Sequence, residues 1–380
     1  MNEALVIGGG PAGSVLALRL ARAGRAVTLI EREARAHDKV CGEFLSGEAL
    51  GDLAALGLDV DALGAAPIRT VALARGRTMT TTALPFPAKS LSRRVLDEAM
   101  LGAAGSAGAT LLRGRRVLGL ERQGSGWRAR LDDGGEIAAA HAFLATGKHE
   151  LRGWKRPPAP QGDLVGFKLH WRLSPAEAAA LEGRVELHLF PGGYAGLEPV
   201  EDGRVNLCLL VRRARLARGS GAWPRLLAEI RAACPTLDRR LGGATPSHAR
   251  PLTVAAVPYG HLAREAEGLW RVGDQAAVIP SFAGDGMAIA LHSAARAADA
   301  FLVGETADAF QARLYRDLAS QVRLATLLSQ AMVRPWGQAI LGAAAAIRPH
   351  LMQRVAVGTR IPRSLLTEPE PRAAFIAPYS

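Results

Sequence analysis

The sequence has few cysteines, few aromatic residues and very little lysine, and two of these shortages exclude classes of protein. Three cysteines, Cys41, Cys208 and Cys234, are too few and too far apart for a disulfide framework or a CxxC zinc or redox site. They favour a reducing compartment, so we expect a cytoplasmic protein. Lysine is rare among the 47 basic residues. The net charge of +12 therefore comes from scattered arginines, which indicates compositional bias rather than a nucleic-acid-binding surface.

Long apolar runs and a targeting segment are also missing. The N-terminus shows no basic region followed by an apolar stretch and a small-residue cleavage site. Apolar stretches such as residues 340–347 are far shorter than the roughly 20 residues of a membrane-spanning helix. We therefore expect no integral membrane segment, and contact with a membrane surface stays open. With 49% hydrophobic residues, the 380 residues can fold into one large domain or two closely joined domains.

The sequence does contain a glycine cluster near its start, between a strand-like run (residues 4–7) and a helix-like run (residues 14–23). Gly8 permits a tight turn, Gly10 lets a pyrophosphate approach the backbone, and Gly13 lets the helix pack close to the strand. The N-terminus of the helix then faces a phosphate, which its dipole favours. This spacing predicts the phosphate-binding turn of a dinucleotide-binding βαβ unit.

A second strand-like run, residues 26–30, ends on Glu31, whose carboxylate can accept hydrogen bonds from both hydroxyls of an adenosine ribose. The next residue, Arg32, is a cation that can serve the pyrophosphate. A looser glycine match at residues 124–129 has strand-like runs on both sides, which is typical of a hairpin turn. Only the first match combines strand, glycines, helix, second strand and acid, so it predicts the dinucleotide site.

A second glycine-rich loop, late in the chain, favours FAD over a nicotinamide dinucleotide. A strand-like run ends at Gly273 and Asp274, and a loop with Gly284 and Gly286 leads into a helix-like run from Met287. The Asp274 carboxylate can hold a polyol hydroxyl. The loop exposes backbone N–H groups and a helix N-terminus, which favour electron density at the N1/C2 edge of a reduced flavin. A nicotinamide has no such polyol.

Together these elements resemble the FAD-dependent oxidoreductases of the p-hydroxybenzoate hydroxylase fold, and more closely the geranylgeranyl-reductase-like branch. The resemblance covers roughly residues 1–305. Besides the two glycine-rich regions, it is carried by the Cys-Gly element at residues 39–43, the Arg-x-x-Leu-Asp helix at residues 92–97 and the Ala-Thr-Gly turn at residues 145–147.

The resemblance implies a set of cofactor-binding residues. By it, Arg93 contacts the FAD phosphates or ribityl chain, and Asp274 contacts the ribityl hydroxyls. Asp285 is expected to cap the helix that follows and so to organise the loop that meets the flavin. The full expected set is Gly8, Gly10, Pro11, Ala12, Gly13, Glu31, Arg32, Cys41, Gly42, Arg93, Thr146, Gly147, Asp274, Gly284, Asp285, Gly286 and Met287.

The fold class that follows is α/β, a Rossmann-like FAD-binding domain with an inserted antiparallel sheet and a helical C-terminal region. A period-two pattern of apolar residues over 163–173, 184–189 and 204–211 predicts the inserted strands. We predict a discontinuous FAD-binding domain at residues 1–75, 90–160 and 262–305. Residues 76–89 and 161–261 form the substrate-binding sheet, and residues 306–380 form the C-terminal helices and tail.

Candidate catalytic and substrate residues are fewer. Cys41 and Tyr194 are candidates for a catalytic acid or a flavin-facing group, with ordinary burial as the alternative for Cys41. Substrate-contact candidates are Lys168, His170, His188, Tyr194 and Pro280. The alternative for Lys168, His170 and His188 is a solvated polar face of the sheet. Geranylgeranyl reductases carry a Tyr-x-Trp-x-Phe-Pro element near Tyr194, and this sequence lacks it.

No metal-ligand spacing, nucleophile elbow or phosphate-binding lysine motif is visible, so we expect no metal and assign the chemistry to the flavin. The favoured hypothesis is a reductase that delivers hydride to a C=C bond of an apolar, lipid-like or polyketide-like molecule. The alternative is an NAD(P)H-dependent flavin monooxygenase that hydroxylates an aromatic or polyketide ring, or less readily a halogenase. The electron donor is NAD(P)H or a separate reductase, because no second dinucleotide domain is visible. The oligomeric state stays open.

Overall fold

The computed structural model describes residues 2–218 and 222–366. They form a mixed α/β fold, as the sequence predicts. In chain order the strands are β1 (Asn2–Ile7), β2 (Val27–Glu31), β3 (Phe44–Leu45), β4 (Ala66–Arg75), β5 (Thr78–Ser90), β6 (Thr110–Arg113), β7 (Val117–Gln123), β8 (Gly126–Leu131), β9 (Glu136–Leu144), β10 (Leu164–Arg172), β11 (Arg184–Phe190), β12 (Gly193–Pro199), β13 (Val205–Arg212), β14 (Thr245–Pro246), β15 (Leu252–Ala255) and β16 (Trp270–Arg271). The helices are α1 (Pro11–Arg22), α2 (Gly47–Ala55), α3 (Arg93–Ser106), α4 (Pro175–Leu181), α5 (Arg213–Arg218), α6 (Trp223–Ala233), α7 (Pro235–Arg240), α8 (Gly286–Leu302), α9 (Ala307–Met332), α10 (Pro335–Ile347) and α11 (His350–Gly358).

The first sheet has seven strands in the order β6-β2-β1-β9-β8-β7, with β16 paired to β9. Strands β6, β2, β1, β9 and β16 run parallel to one another, which places their carboxyl ends at one edge. Helix α1 lies against α3 and α8 and fills the core beside this sheet. It begins at Pro11, three residues earlier than predicted, because proline at the first helical position needs no N–H partner. Strands β7 and β8 form the predicted hairpin at residues 124–129.

The second sheet has nine strands in the order β14-β10-β13-β12-β11-β4-β5-β3, with β15 paired to β10. It is antiparallel except for the β4–β11 pair, which is parallel. Strands β4 and β5 both belong to it, so this sheet starts earlier along the chain than the predicted boundary at residue 76. One consequence is that residues on both sides of that boundary can line the same site.

The second sheet is covered on both faces. On one face, Val165, Phe167, Leu169 and Trp171 of β10 pack with Ala195 and Leu197 of β12 against helices α6 and α7. The alternation predicted for residues 163–173 is therefore confirmed. The opposite face carries the polar residues of β10 and contacts the segment that contains Cys41 and Glu43. The predicted solvated face is wrong for these residues, because both faces are buried.

Helices α9, α10 and α11 follow α8 and close the far side of the space between the sheets. Within the described residues, none of the helices combines the length and the apolar character that crossing a bilayer requires. The predicted irregular tail lies mostly in residues 367–380, outside the described residues.

Candidate active site

The glycine turn between β1 and α1 is held by close backbone contacts. A Cβ on Gly13 would lie 1.8 Å from the carbonyl oxygen of Gly8, and a Cβ on Gly8 would lie 2.4 Å from that of Ala145. Gly8 also has a φ of +110°, which only glycine adopts readily. Around Gly10, by contrast, the nearest group is the guanidinium of Arg93, 3.5 Å from where a Cβ would be. The turn therefore leaves its backbone open on the side that faces a cation, which fits a pyrophosphate.

Glu31 ends β2 beside this turn. One of its carboxylate oxygens accepts a hydrogen bond from the Gly9 N–H at 2.6 Å, and the other accepts one from the Glu33 N–H at 3.0 Å. Its side chain borders the cavity described below. The two hydrogen bonds therefore fix the carboxylate at the edge of the cavity, and its contact with an adenosine ribose stays a prediction.

Arg93 lies at the start of α3, where Ser92 caps the helix by accepting a hydrogen bond from the Val95 N–H. The guanidinium donates to both carboxylate oxygens of Asp97, at 2.7 and 2.8 Å, and Lys39 donates to the same carboxylate at 2.8 Å. Two cations thus share one buried acid beside the glycine turn. The surplus positive charge suits the FAD pyrophosphate.

The late glycine-rich loop meets the same space. Gly273 has a φ of +60°, and Gly284 has a φ of +68° with a Cβ position only 2.9 Å from the Phe44 ring. Asp274 lies between them along the chain and borders the cavity. Because both glycines are in close contact and in the left-handed region, the loop can approach a flat ring more closely than side chains would allow.

Asp285 plays a different part from the one predicted. It precedes α8, but its carboxylate caps no N–H of that helix. Instead it accepts hydrogen bonds from Arg360 at 2.9 Å and from the Ser46 hydroxyl at 3.3 Å. Burial raises the pKa of Asp285 to about 7, against the opposing effect of Arg360. Asp285 lies behind the loop, and it is Arg360 that reaches the cavity.

The Cys-Gly element crosses the polar face of the second sheet. The Asn206 amide of β13 donates to the carbonyl oxygens of Cys41 and Gly42, at 3.1 and 2.9 Å. The Cys41 sulfur accepts a hydrogen bond from the Glu43 N–H at 3.4 Å, and Cys41, Gly42 and Glu43 all border the cavity. This placement agrees with Cys41 as a candidate, and its catalytic role stays a prediction.

Lys168 and His170 of β10 do not reach the cavity. Lys168 forms an ion pair with Glu43, and His170 Nε2 lies 2.8 Å from the second oxygen of the same carboxylate. Burial alone would raise the pKa of Glu43, but these two partners hold it below its ordinary value. Asp38, Glu43 and His170 bring three potential metal-ligand atoms within 4.8 Å. The Lys168 ammonium already supplies positive charge there.

Three further candidates also lie outside the cavity wall. His188 is buried between Thr236 and Glu186, at 3.0 and 3.1 Å, so the solvated alternative is wrong for it as well. The Tyr194 hydroxyl accepts a hydrogen bond from the Phe282 N–H at 3.1 Å, and burial raises the pKa of this tyrosine well above its ordinary value. Pro280 is buried at the start of the same loop. None of the three belongs to the cavity wall, and contact of any of them with a substrate stays a prediction.

A cavity of about 1120 Å³ joins these parts. Its wall includes every predicted cofactor-binding residue except Gly13 and Asp285, which lie directly behind it. Apolar side chains from the second sheet and from α9, α10 and α11 form another part of the wall, among them Val71, Leu73, Val185, Leu187, Leu328, Leu341, Leu351 and Val355. The cavity thus combines a polar, glycine-rich region that fits FAD with an apolar region large enough for a hydrocarbon.

Sequence reasoning missed several residues of this wall, among them Glu198, Tyr259 and Arg360. Glu198 carried a signal, since it is an acid at the end of an otherwise apolar strand. Lys148 and His149 also border the cavity and directly follow the predicted Ala-Thr-Gly turn. Arg360 carried none, because it lies after the last residue covered by the resemblance.

Comparison with known proteins agrees with this geometry. Residues 1–146 match the family described as FAD binding domain. A menaquinone reductase of Mycolicibacterium smegmatis is 26% identical over 332 residues, which cover 80% of this chain and 78% of that protein. Digeranylgeranylglycerophospholipid reductase 2 of Methanopyrus kandleri is 28% identical over 232 residues, covering 55% of this chain and 54% of that protein.

Among solved structures, the flavin-dependent brominase Bmp2 superposes with a TM-score of 0.77, covering 97% of this chain and 96% of that chain. At 19% identity this likeness shows the shared fold alone. The functional class is instead established by the matched FAD-binding domain and by the homologous reductases. The chain is therefore an FAD-dependent oxidoreductase whose homologues include a menaquinone reductase and a digeranylgeranylglycerophospholipid reductase.

Proposed function

We propose that this oxidoreductase reduces a C=C bond in a substrate that carries an extended apolar chain. The apolar part of the cavity wall carries the proposal. Strands β4 and β11 contribute Leu73 and Leu187, and helices α10 and α11 contribute Leu341 and Val355. Each CH₂ group that leaves water for such a surface contributes about 0.8 kcal/mol, so a hydrocarbon chain gains more there than a compact polar molecule.

The homologues support reduction over oxygenation, since both are named as reductases. The glycine turn with Arg93, together with the loop at Gly284, would hold the FAD. When reduced, FAD supplies the hydride. The protein's own share is to exclude water, to hold the apolar chain and to place Cys41 and the cavity wall against the reacting carbons. Electrons reach the cofactor from NAD(P)H or from a separate reductase.

The test is an anaerobic half-reaction. The purified protein, with its FAD absorbance confirmed, is reduced with dithionite and mixed with prenylated naphthoquinones and prenyl alcohols of increasing chain length. Reoxidation of the flavin supports the proposal when the product is still two mass units heavier than the substrate after any quinone ring has been reoxidised in air. The proposal fails if no substrate keeps this gain of two mass units while oxygen reoxidises the flavin rapidly and an oxygen atom enters an aromatic product, which is the monooxygenase outcome.

A matched pair of variants locates the apolar part of the site. Leu187→Trp fills the cavity next to Gly196 and is expected to raise the KM for long-chain alkenes at least tenfold, with the FAD content unchanged. Leu118→Trp adds the same bulk at a side chain that is 42% exposed on the first sheet, and it is expected to leave the KM unchanged. Equal effects of the two substitutions would contradict this assignment of the substrate path.

A further inference from the structure

Glu198, near the end of β12, is a buried acid at the edge of the cavity. It is 3% exposed and belongs to the cavity wall. One of its oxygens, Oε2, is buried and has no hydrogen-bond partner among the described residues. The other, Oε1, lies 3.9 Å from where a Cβ on Gly42 would stand, so the carboxyl group adjoins the Cys-Gly element. A carboxylate left this way would be a buried, unpaired charge, which is costly.

The charged groups around Glu198 do not relieve this cost. Lys168, a cation whose charge acts on Glu198, is already engaged with Glu43, whose negative charge also acts on Glu198. Burial is the main cause that raises the pKa of Glu198 well above its ordinary value, and Glu43 and Cys41 add to it. Asn206 and Lys168 oppose the shift but are outweighed. These surroundings therefore favour the protonated form of the Glu198 carboxyl group.

The strand neighbour of Glu198 supports the same protonation state. Asn206 stands directly opposite it on β13, so the two side chains share one face of the sheet. The Asn206 amide nitrogen is engaged with the Cys-Gly carbonyls, and the amide oxygen is buried with no hydrogen-bond partner in the part of the chain that the structure describes. The two buried acceptors, Glu198 Oε2 and Asn206 Oδ1, therefore lie on neighbouring residues with no donor for either among the described residues, which is unfavourable. A proton on Glu198 supplies the missing donor.

From this placement we infer that Glu198 is the proton donor of the reaction. The inference rests on the proposed reduction of a C=C bond. That reduction breaks the π bond and forms two C–H bonds, one from a hydride and one from a proton. The hydride carries both electrons and comes from reduced FAD. The Glu198 carboxyl group gives the proton to the other carbon, becomes a carboxylate, and recovers a proton from solvent before the next turnover.

The experiment compares the wild-type FAD enzyme with Glu198→Gln, which keeps the shape of the side chain and removes the acid. Reduction of the flavin by dithionite should be unchanged, whereas reduction of the C=C bond in the side chain of a prenylated naphthoquinone should slow by about 10² to 10⁴-fold, the usual contribution of a general acid. The product is quantified after its quinone ring has been reoxidised in air, so that only the saturated side chain retains the two added hydrogens. Glu198→Asp should restore part of the rate. Glu182→Gln, a substitution of the same kind at an exposed site, should leave the rate unchanged.

A second readout needs no turnover. At pH 7.5 the infrared C=O absorption of protonated carboxylic acids, to which Asp285 with its pKa of about 7 also contributes, should be weaker in Glu198→Gln than in the wild-type enzyme and unchanged in Glu182→Gln. The assignment is overturned if no infrared band depends on Glu198, or if Glu198→Gln with full FAD content reduces the C=C bond at the wild-type rate. If the band is present but the wild-type enzyme reduces no alkene, the proposed function is what fails.

Discussion

The buried ion pair between Lys168 and Glu43 gives a sharp test of how the polar face of the second sheet is stabilised. Both side chains are almost completely buried. The Glu43 carboxylate also contacts the His170 ring and accepts a hydrogen bond from the backbone N–H of Arg93 at 2.8 Å. Lys168→Met keeps the volume of the side chain but leaves the carboxylate short of its main cation. Because a buried charge without its partner is strongly unfavourable, we expect stability to fall by about 3 to 5 kcal/mol.

This loss converts into a measurable change in Tm. With an unfolding entropy of about 2.1 cal/mol/K per residue, a chain of 380 residues should lose roughly 4 to 6 °C. The difference should depend on pH. The pKa of Glu43 is below its ordinary value of 4.5 in the folded protein, so its stabilising effect is complete above pH 4.5 and is lost as the pH falls further. The difference in Tm between the wild type and Lys168→Met should therefore become smaller at acid pH.

Thermal unfolding at pH 7.5 and pH 4, followed by circular dichroism, measures both effects. Lys89→Met is the matched control, because Lys89 pairs with Asp61, a side chain that is 69% exposed, and such pairs contribute about 0 to 1 kcal/mol. Glu43→Gln combined with Lys168→Met should be more stable than Lys168→Met alone, since no unpaired charge remains. A Tm for Lys168→Met within 1 °C of the wild type at pH 7.5 would refute the reasoning.

Three further predictions follow from the site. Gly13→Ala places a methyl group 1.8 Å from the Gly8 carbonyl oxygen, so the turn must open, and the FAD-to-protein absorbance ratio should fall at least tenfold; Gly102→Ala, with open space around it, should keep its FAD. Arg360→Met removes the cation that lowers the raised pKa of Asp285, which is about 7. Ionising a carboxyl whose folded pKa is raised costs stability as pH rises, so the Tm deficit of this variant should grow from pH 6 to pH 9, and a constant deficit would contradict the assignment. Tyr194→Phe should lower stability by about 1 kcal/mol through the lost hydrogen bond, with alkene reduction within twofold of the wild type; a hundredfold slower rate would restore Tyr194 as a proton donor.

The glycine turn could be predicted from the sequence because its physics is local. Close contacts at Gly8 and Gly13 arise within one βαβ unit, and the spacing alone demands residues without a Cβ. The hairpin at residues 124–129 is equally local. The ion pair between Arg360 and Asp285 could not be predicted from the sequence. It joins residues 75 positions apart and depends on how the C-terminal helices fold back.

The boundary near residue 76 shows a second limit. Strands β4 and β5 form a hairpin, which the sequence can suggest, but β4 also pairs in parallel with β11, more than a hundred residues later. Parallel neighbours far apart in sequence leave no periodic signal that links them. The sheet to which β4 belongs is therefore a property of the tertiary fold, and the predicted substrate-binding region started too late in the chain to include it.

Strand β12 shows why the polar face was misinterpreted. Alternation establishes which residues share a face, and Ala195 and Leu197 do pack together against α6 and α7. It does not establish what covers the other face, where Gly196 and Glu198 border the cavity. The usual inference that the polar face meets water holds for a sheet with one covered side. In this sheet the Cys-Gly element covers the second side, so a polar side chain there must find a partner or hold a proton, and Glu198 has no partner for Oε2 among the described residues.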